Sequence, residues 1–97
     1  MTWIKIDDGF PDHPKVIGLS DKAFRTHIES LCYAGRYLTD GHIPQFVAEK
    51  IGTEDAINEL LKVRLWYIPD NGLDGYIIHD YLLHQTSKQQ VENKHRS

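Results

Sequence analysis

Residues 42–68 read HIPQFVAEKIGTEDAINELLKVRLWYI, and the punctuation of this stretch decides the fold. Pro44 suits the first turn of a short helix running to Ile51, where its missing N–H costs nothing, and Gly52 suits that helix's C-terminal end. Thr53 caps a further helix, with Glu54 and Asp55 set favourably against the positive end of its dipole. The core-facing stripe of that helix is Ile57, Leu60 and Leu61, continuing to Leu65. Only Gly52-Thr53 separates the two helices, a joint as tight as a helix-turn-helix connection. The stretch closes on Leu65-Trp66-Tyr67-Ile68, an aromatic and β-branched run that Pro69 stops.

Downstream, Asp70-Asn71-Gly72-Leu73-Asp74-Gly75 is a turn-rich loop, and Tyr76–Tyr81 is a second strand completing a β-hairpin. Upstream, Ser20 is a good N-cap for a helix from Asp21 to about Leu38. Steps of ~100° per residue place Phe24, Ile28, Leu31, Ala34 and Leu38, with His27 and Gly35, in one stripe. Cys32, at the edge of that stripe, reads as a small buried hydrophobe. Lys22, Arg25, Glu29 and Arg36 take the opposite face. Thr39-Asp40-Gly41 ends the helix, and His42-Ile43 forms a short extended bridge. At the N-terminus Trp3-Ile4-Lys5-Ile6 predicts a brief strand closed by Asp7-Asp8-Gly9, and Pro11 and Pro14 keep the next stretch irregular. At the other end Ser87-Lys88-Gln89-Gln90 fits a capping box for a final polar helix with one apolar residue, Val91. Trp3, Phe10, Phe24, Phe46, Trp66 and Tyr76 are the expected core or near-core aromatics.

Strand, long helix, extended bridge, two tightly joined helices and a hairpin form the element order of a winged helix-turn-helix, an α+β fold. The expected division is a winged-helix domain over 1–85 and a basic, helical tail over 86–97. A chain of 97 residues is long enough for one small core, and its 40% hydrophobic and 26% charged content argues against disorder. The single Cys32 excludes an internal disulfide and a cysteine-only zinc site, and it suits a reducing cytosol. No apolar run approaches the ~20 residues of a membrane span, and no signal peptide opens the sequence. A soluble, cytoplasmic domain is expected.

Charge is segmented. Residues 1–37 balance Asp7, Asp8, Asp12, Asp21 and Glu29 against Lys5, Lys15, Lys22, Arg25 and Arg36. Residues 38–85 set Asp40, Glu49, Glu54, Asp55, Glu59, Asp70, Asp74 and Asp80 against Lys50, Lys62 and Arg64. The tail sets Lys88, Lys94 and Arg96 against Glu92, and the whole chain carries −3. An acidic centre therefore precedes a basic tail, which is not the footprint of a strongly basic nucleic-acid binder.

Several stretches together resemble one family. They are Trp3-Ile4-Lys5-Ile6-Asp7-Asp8-Gly9-Phe10, His13-Pro14-Lys15-Val16, Leu31-Cys32-Tyr33-Ala34 and Thr39-Asp40-Gly41-His42-Ile43-Pro44. Glu59-Leu60-Leu61, Leu65-Trp66, Gly75-Tyr76-Ile77-Ile78-His79-Asp80-Tyr81 and Gln85, Ser87, Val91-Glu92 extend the likeness over nearly the whole chain. Their order and wording resemble the N-terminal winged-helix region of replication-initiation proteins of actinobacterial phages. The layout is similar to that of replisome organisers and DnaD-type primosomal proteins. The resemblance implies a role around phage DNA replication in the cytoplasm of a bacterial host, as a DNA-binding or replisome-assembly module. In DnaD-type proteins the winged-helix domain also serves self-association, so the fold leaves the partner open.

A recognition helix wants Arg, Lys, Asn or Gln outward and few carboxylates near phosphates. On the helix after Thr53 only Asn58 and Lys62, with Arg64 just past its end, meet that need among Glu54, Asp55 and Glu59. The hairpin adds Asp70 and Asp74 and no base. A second candidate surface is Lys22, Arg25 and Arg36, with Lys15 near the start of their helix, although Glu29 is spaced to pair with Arg25. Lys88, Lys94 and Arg96 could add phosphate contacts. For each of these faces an ordinary solvated surface is the plain alternative. Tyr33 and Tyr37, one turn apart, would anchor a protein partner if exposed.

Catalytic and metal chemistry find no support. His13, His27, His42, His79, His84 and His95 are scattered, without a metal-ligand spacing or cysteine partners, and His27 reads as a hydrogen-bonded core residue. There is no Gly-rich phosphate loop, nucleophile elbow or paired-carboxylate arrangement, so no enzyme, cofactor or small-molecule substrate is expected. Two functions stand: double-stranded DNA binding, favoured by the resemblance, and protein interaction or self-association, favoured by charge. A small repressor-like regulator shares the fold but would want a basic dimer surface that the sequence does not display.

Overall fold

The structure, a computed structural model, describes residues 3–79 and Tyr81. It is an α+β domain of three helices and a three-stranded antiparallel sheet: α1 (Asp21–Tyr37), β1 (His42–Ile43), α2 (Gln45–Ile51), α3 (Glu54–Lys62), β2 (Trp66–Tyr67) and β3 (Tyr76–Ile78). The expected tail helix, with Lys88, Lys94 and Arg96, lies outside the described residues.

Caps set the helix boundaries. The Ser20 hydroxyl accepts the Ala23 N–H and the Thr53 hydroxyl accepts the Ala56 N–H, each satisfying one orphan donor of a first turn. Pro44 stands at the N-cap of α2, one residue earlier than its expected place in the first turn. At the far end of α3 the Leu65 N–H reaches the Leu60 carbonyl at 3.0 Å and the Arg64 N–H reaches the Leu61 carbonyl at 3.1 Å. This is a Schellman exit with Arg64 left-handed at φ 65, a place where glycine is usual.

Strand β3 is central, with order β1-β3-β2. His42 faces Ile77 and Ile43 faces Tyr76, while Trp66 faces Ile78 and Tyr67 faces Ile77. The hairpin loop is fastened onto β1, where His42 Nε2 lies 2.8 Å from the Asp74 carbonyl. Gly75 is required there. Its φ is +81, and a Cβ at that position would stand 2.1 Å from the Ile43 carbonyl oxygen.

The core joins Ala23, Leu31 and Ala34 of α1 to Ile43, Val47, Ala48, Ala56, Ile57, Leu60, Trp66, Ile78 and Tyr81. The buried face of α1 is turned from the expected stripe. Thr26 and Ser30 are fully buried, whereas Phe24, Ile28 and Leu38 are half-buried. The α2–α3 joint causes this by pressing on Thr26, whose Cγ2 would be 2.7 Å from a Cβ on Gly52. Both hydroxyls turn back on their own helix, Thr26 to the Lys22 carbonyl at 2.7 Å and Ser30 to the His27 carbonyl at 2.6 Å. Satisfied in this way, small polar residues can be buried at little cost.

Four expectations are corrected. Residues 3–7 form no strand, and Trp3 is 85% exposed, because no neighbouring strand pairs with this run among the described residues. Only Ile4 of that segment packs against the core. Cys32 is exposed rather than buried, since the rotation of α1 towards Thr26 carries it out to solvent. Phe46 is exposed because the short α2 turns Val47 and Ala48 inward instead.

Candidate functional site

Helix α3 packs on α1 through Ala56, Ile57 and Leu60, which leaves Asn58 and Lys62 together on its outward side. Both are exposed, and Arg64 is exposed just beyond them. Of the nearby acids, Glu54 and Asp55 are exposed, but Glu59 is half-buried and drawn aside. Its Oε1 accepts the Ser20 N–H at 2.8 Å and its Oε2 accepts the Ser20 hydroxyl proton at 2.5 Å. These two bonds, the hydroxyl first, hold the Glu59 carboxyl below its ordinary range. Glu59 thus serves as a clasp between α3 and the start of α1, a use that its position among exposed helix residues did not suggest.

The basic residues of α1 face solvent. Lys22, Arg25 and Arg36 are exposed, Arg25 lies 3.6 Å from Glu29 as the four-residue spacing predicts, and the Arg36 guanidinium lies 6.0 Å from the Tyr37 ring centroid. Tyr33 and Tyr37 do meet, with ring centroids 4.8 Å apart, but Tyr33 is half-buried against the core and only Tyr37 is well exposed.

Lys15 lies in the turn that precedes α1. It lines a groove of about 660 Å³ between the N-terminal segment and the exit of α3. The groove takes Lys5, Asp7 and Phe10 from the N-terminal segment, His13 and Lys15 from the turn before α1, Arg64 and Leu65 from the exit of α3, and His79 after β3. His27 and Leu31 of α1 also line it. A sequence signal for this convergence existed in Asp7-Asp8-Gly9 and the two prolines, which bend the chain, but nothing in the sequence said where the bend would lead. A smaller hollow of about 460 Å³ shares Arg64 and His79 with it and is lined also by Leu61, Trp66, Tyr67 and Ile68.

Beside the groove lies a buried polar contact of the core. Trp66, 1% exposed, donates its indole N–H to His27 Nδ1 at 3.2 Å, so the imidazole is neutral and carries its proton on Nε2. Burial pushes the His27 pKa down to about 4. Phe10 stacks over the imidazole with centroids 5.6 Å apart and also meets Phe24 at 5.7 Å. His27 is therefore a core residue and offers no charge to the groove at neutral pH. Tyr81 is buried, and desolvation together with the Asp40 carboxylate raises its phenol pKa.

Among the described residues no three His, Cys, Asp or Glu side chains gather in a metal-holding cluster, and no helix is long and apolar enough to cross a membrane. Family models, curated proteins and solved structures return no match to this chain.

Proposed function

We propose that this chain is a winged-helix DNA-binding module of the replication-initiation or replisome-organiser kind. The observation that carries it is the sheet order. The two-residue strand between the first and second helices pairs with the far strand of the hairpin, β1 on β3, with β2 outside. That pairing ties a helical triad to a hairpin in the winged-helix manner, with α3 as recognition helix and the β2–β3 hairpin as wing. Asn58 and Lys62 point outward from α3 and would meet base edges or phosphates, with Arg64 following the same edge of the duplex. Glu59 is turned towards Ser20 at the start of α1 and keeps its negative charge there.

The test is binding to random-sequence and origin-derived duplexes at low and moderate salt, with light scattering on the same samples. Salt-sensitive binding that weakens in Lys62→Ala and Arg64→Ala, each with a flatter salt dependence, supports the module. A second reading, protein interaction or self-association, draws on the wing. Tyr67, Ile68 and Leu73 are 49%, 67% and 48% exposed, and Asp70 and Asp74 share that hairpin. Absence of binding at low salt, together with a defined oligomer, would favour this second reading.

A further inference from the structure

His27 brings to the groove beside the exit of α3 one polar group that the fold leaves unused. The imidazole is 4% exposed and lines the groove from α1. Its Nδ1 accepts the Trp66 indole proton at 3.2 Å, which fixes the ring's own proton on Nε2. Among the described residues nothing accepts that proton, and Nε2 is not one of the sealed, unpartnered polar atoms of the core. The Nε2–H is therefore a donor directed into the groove. A buried donor without an acceptor costs free energy, so a ligand that supplies one is favoured.

The surroundings define the acceptor. Phe10 stacks over the imidazole with centroids 5.6 Å apart, Leu31 follows one turn along α1, and Leu65, Ile78 and Tyr81 extend the apolar wall. A water on Nε2 would meet few polar partners against Phe10 and Leu31, and such a water is readily displaced. A carboxylate or phosphate would leave its hydration shell against the same wall, at a cost that one neutral donor does not offset. Burial also keeps the imidazole uncharged, with a pKa of about 4, so no cation stands at this point to draw an anion in. What suits the floor is an uncharged oxygen at the edge of a flat, largely apolar body that the Phe10 and Tyr81 rings can pack against. A groove of about 660 Å³ has room for a small ring system.

We infer that the groove binds an uncharged, carbonyl-bearing heterocycle of the pyrimidine-base class, with His27 Nε2–H donating to its carbonyl and Phe10 and Leu31 packing on its apolar part. Thymine joins the two requirements in one ring, a carbonyl oxygen beside a methyl group. The same chemistry arrives either as a free nucleoside or as an unpaired base of a single strand. The site stands apart from duplex contact by α3 and does not rest on it.

The experiment follows the His27 Nε2 nitrogen resonance in the full chain at neutral pH. Thymidine should move it saturably, because Nε2–H gains a carbonyl acceptor. Toluene, which is flat and apolar but has no acceptor, should not. Phe10→Ala, in the 3-10 turn before α1, should weaken the thymidine titration roughly fivefold, the scale of one aromatic contact. Phe46→Ala, on an exposed position of α2, should leave it unchanged, and thermal melts establish that both variants are folded. A short oligothymidylate that moves the same resonance at lower concentration identifies a base carried on a strand, and equal affinity identifies the free nucleoside. Absence of a saturable shift at Nε2 in the parent protein would overturn the site. So would an equal shift with toluene, or a titration indifferent to a folded Phe10→Ala.

Discussion

Two runs of the chain are closely alike in composition and opposite in fate. Trp3-Ile4-Lys5-Ile6 and Leu65-Trp66-Tyr67-Ile68 each set a tryptophan among aliphatic and β-branched neighbours. Trp66 is 1% exposed and begins β2, whereas Trp3 is 85% exposed and belongs to no strand. The second run is followed by a turn that returns the chain to it as β3, and His27 waits beneath to accept the indole proton. The first run is followed by a bend and a short 3-10 turn at Phe10–Asp12, and nothing returns to pair with it among the described residues. Strand propensity thus measures fitness for a paired, half-buried surface, and the partner decides whether it is used.

The largest effect should separate the two tryptophans. Trp66→Ala removes a buried indole from the core and should cost about 3–5 kcal/mol, enough to threaten folding of a domain this small. Trp3→Ala should stay within about 0.5 kcal/mol, as surface substitutions usually do. Chemical denaturation of both variants measures the contrast directly. Similar losses would mean that Trp3 is covered in solution.

The indole–imidazole bond gives the contrast a pH signature. His27 has a folded pKa of about 4 against 6.5 for the free residue, so between those values the unfolded chain binds more protons than the folded one. Stability from this source is complete above pH 6.5 and is lost as pH falls towards 4, a loss of about 3 kcal/mol at 1.36 kcal/mol per pKa unit. His27→Leu should abolish that part of the pH dependence. At neutral pH it should also cost about 1–3 kcal/mol, because the buried Trp66 N–H loses its acceptor. Urea midpoints across the acid range provide the check.

A third substitution attacks the device that gives the second run its partner. Gly75→Ala places a methyl against the Ile43 backbone at a positive φ, so β1 and the hairpin loop cannot keep their present approach. A loss of about 2 kcal/mol or more is expected, because left-handed strain alone costs an L-residue about 1–2 kcal/mol. Hydrogen exchange should show the β1–β3 pairing opening first. Gly72→Ala is the matched control: it has φ +85 but open space around it, so it isolates strain from collision.

What the sequence made legible was local. Ser20 and Thr53 as caps, the tight Gly52-Thr53 joint, His42-Ile43 as a bridge and the hairpin all depend on chemistry within a few residues, and each appears in the structure. What it concealed was set at long range. The turn of α1 towards Thr26 is imposed by Gly52, twenty-six positions away in the chain, and it is this that exposes Cys32. Glu59 looked like an exposed acid on α3 because its partner, Ser20, lies thirty-nine residues earlier. Lys5 and Lys15 could not be joined to Arg64 from sequence, because only the folded path of the N-terminal segment brings them to one groove. Asn58 and Lys62 were legible as outward residues because helical periodicity alone decides which way they face.

The smallest expected effect is at Arg64, the residue that leads into the second run. Arg64→Gly relieves a left-handed L-residue and leaves the two Schellman hydrogen bonds to be made by the same backbone, so stability should rise by about 0.5–1 kcal/mol. Glycine's greater freedom in the unfolded chain offsets part of the relief, which is why the gain is modest. If Arg64 is at the DNA edge, the same substitution should weaken duplex binding and flatten its salt slope by about 1. Opposite signs from one residue, firmer folding and poorer binding, would identify a side chain retained for contact at the expense of its backbone. Arg64→Ala separates the two effects, since it removes the guanidinium while leaving an L-residue at φ 65, and it should lose affinity without gaining stability. A gain in stability with binding unchanged would place Arg64 outside the interface and leave Asn58 and Lys62 to carry it.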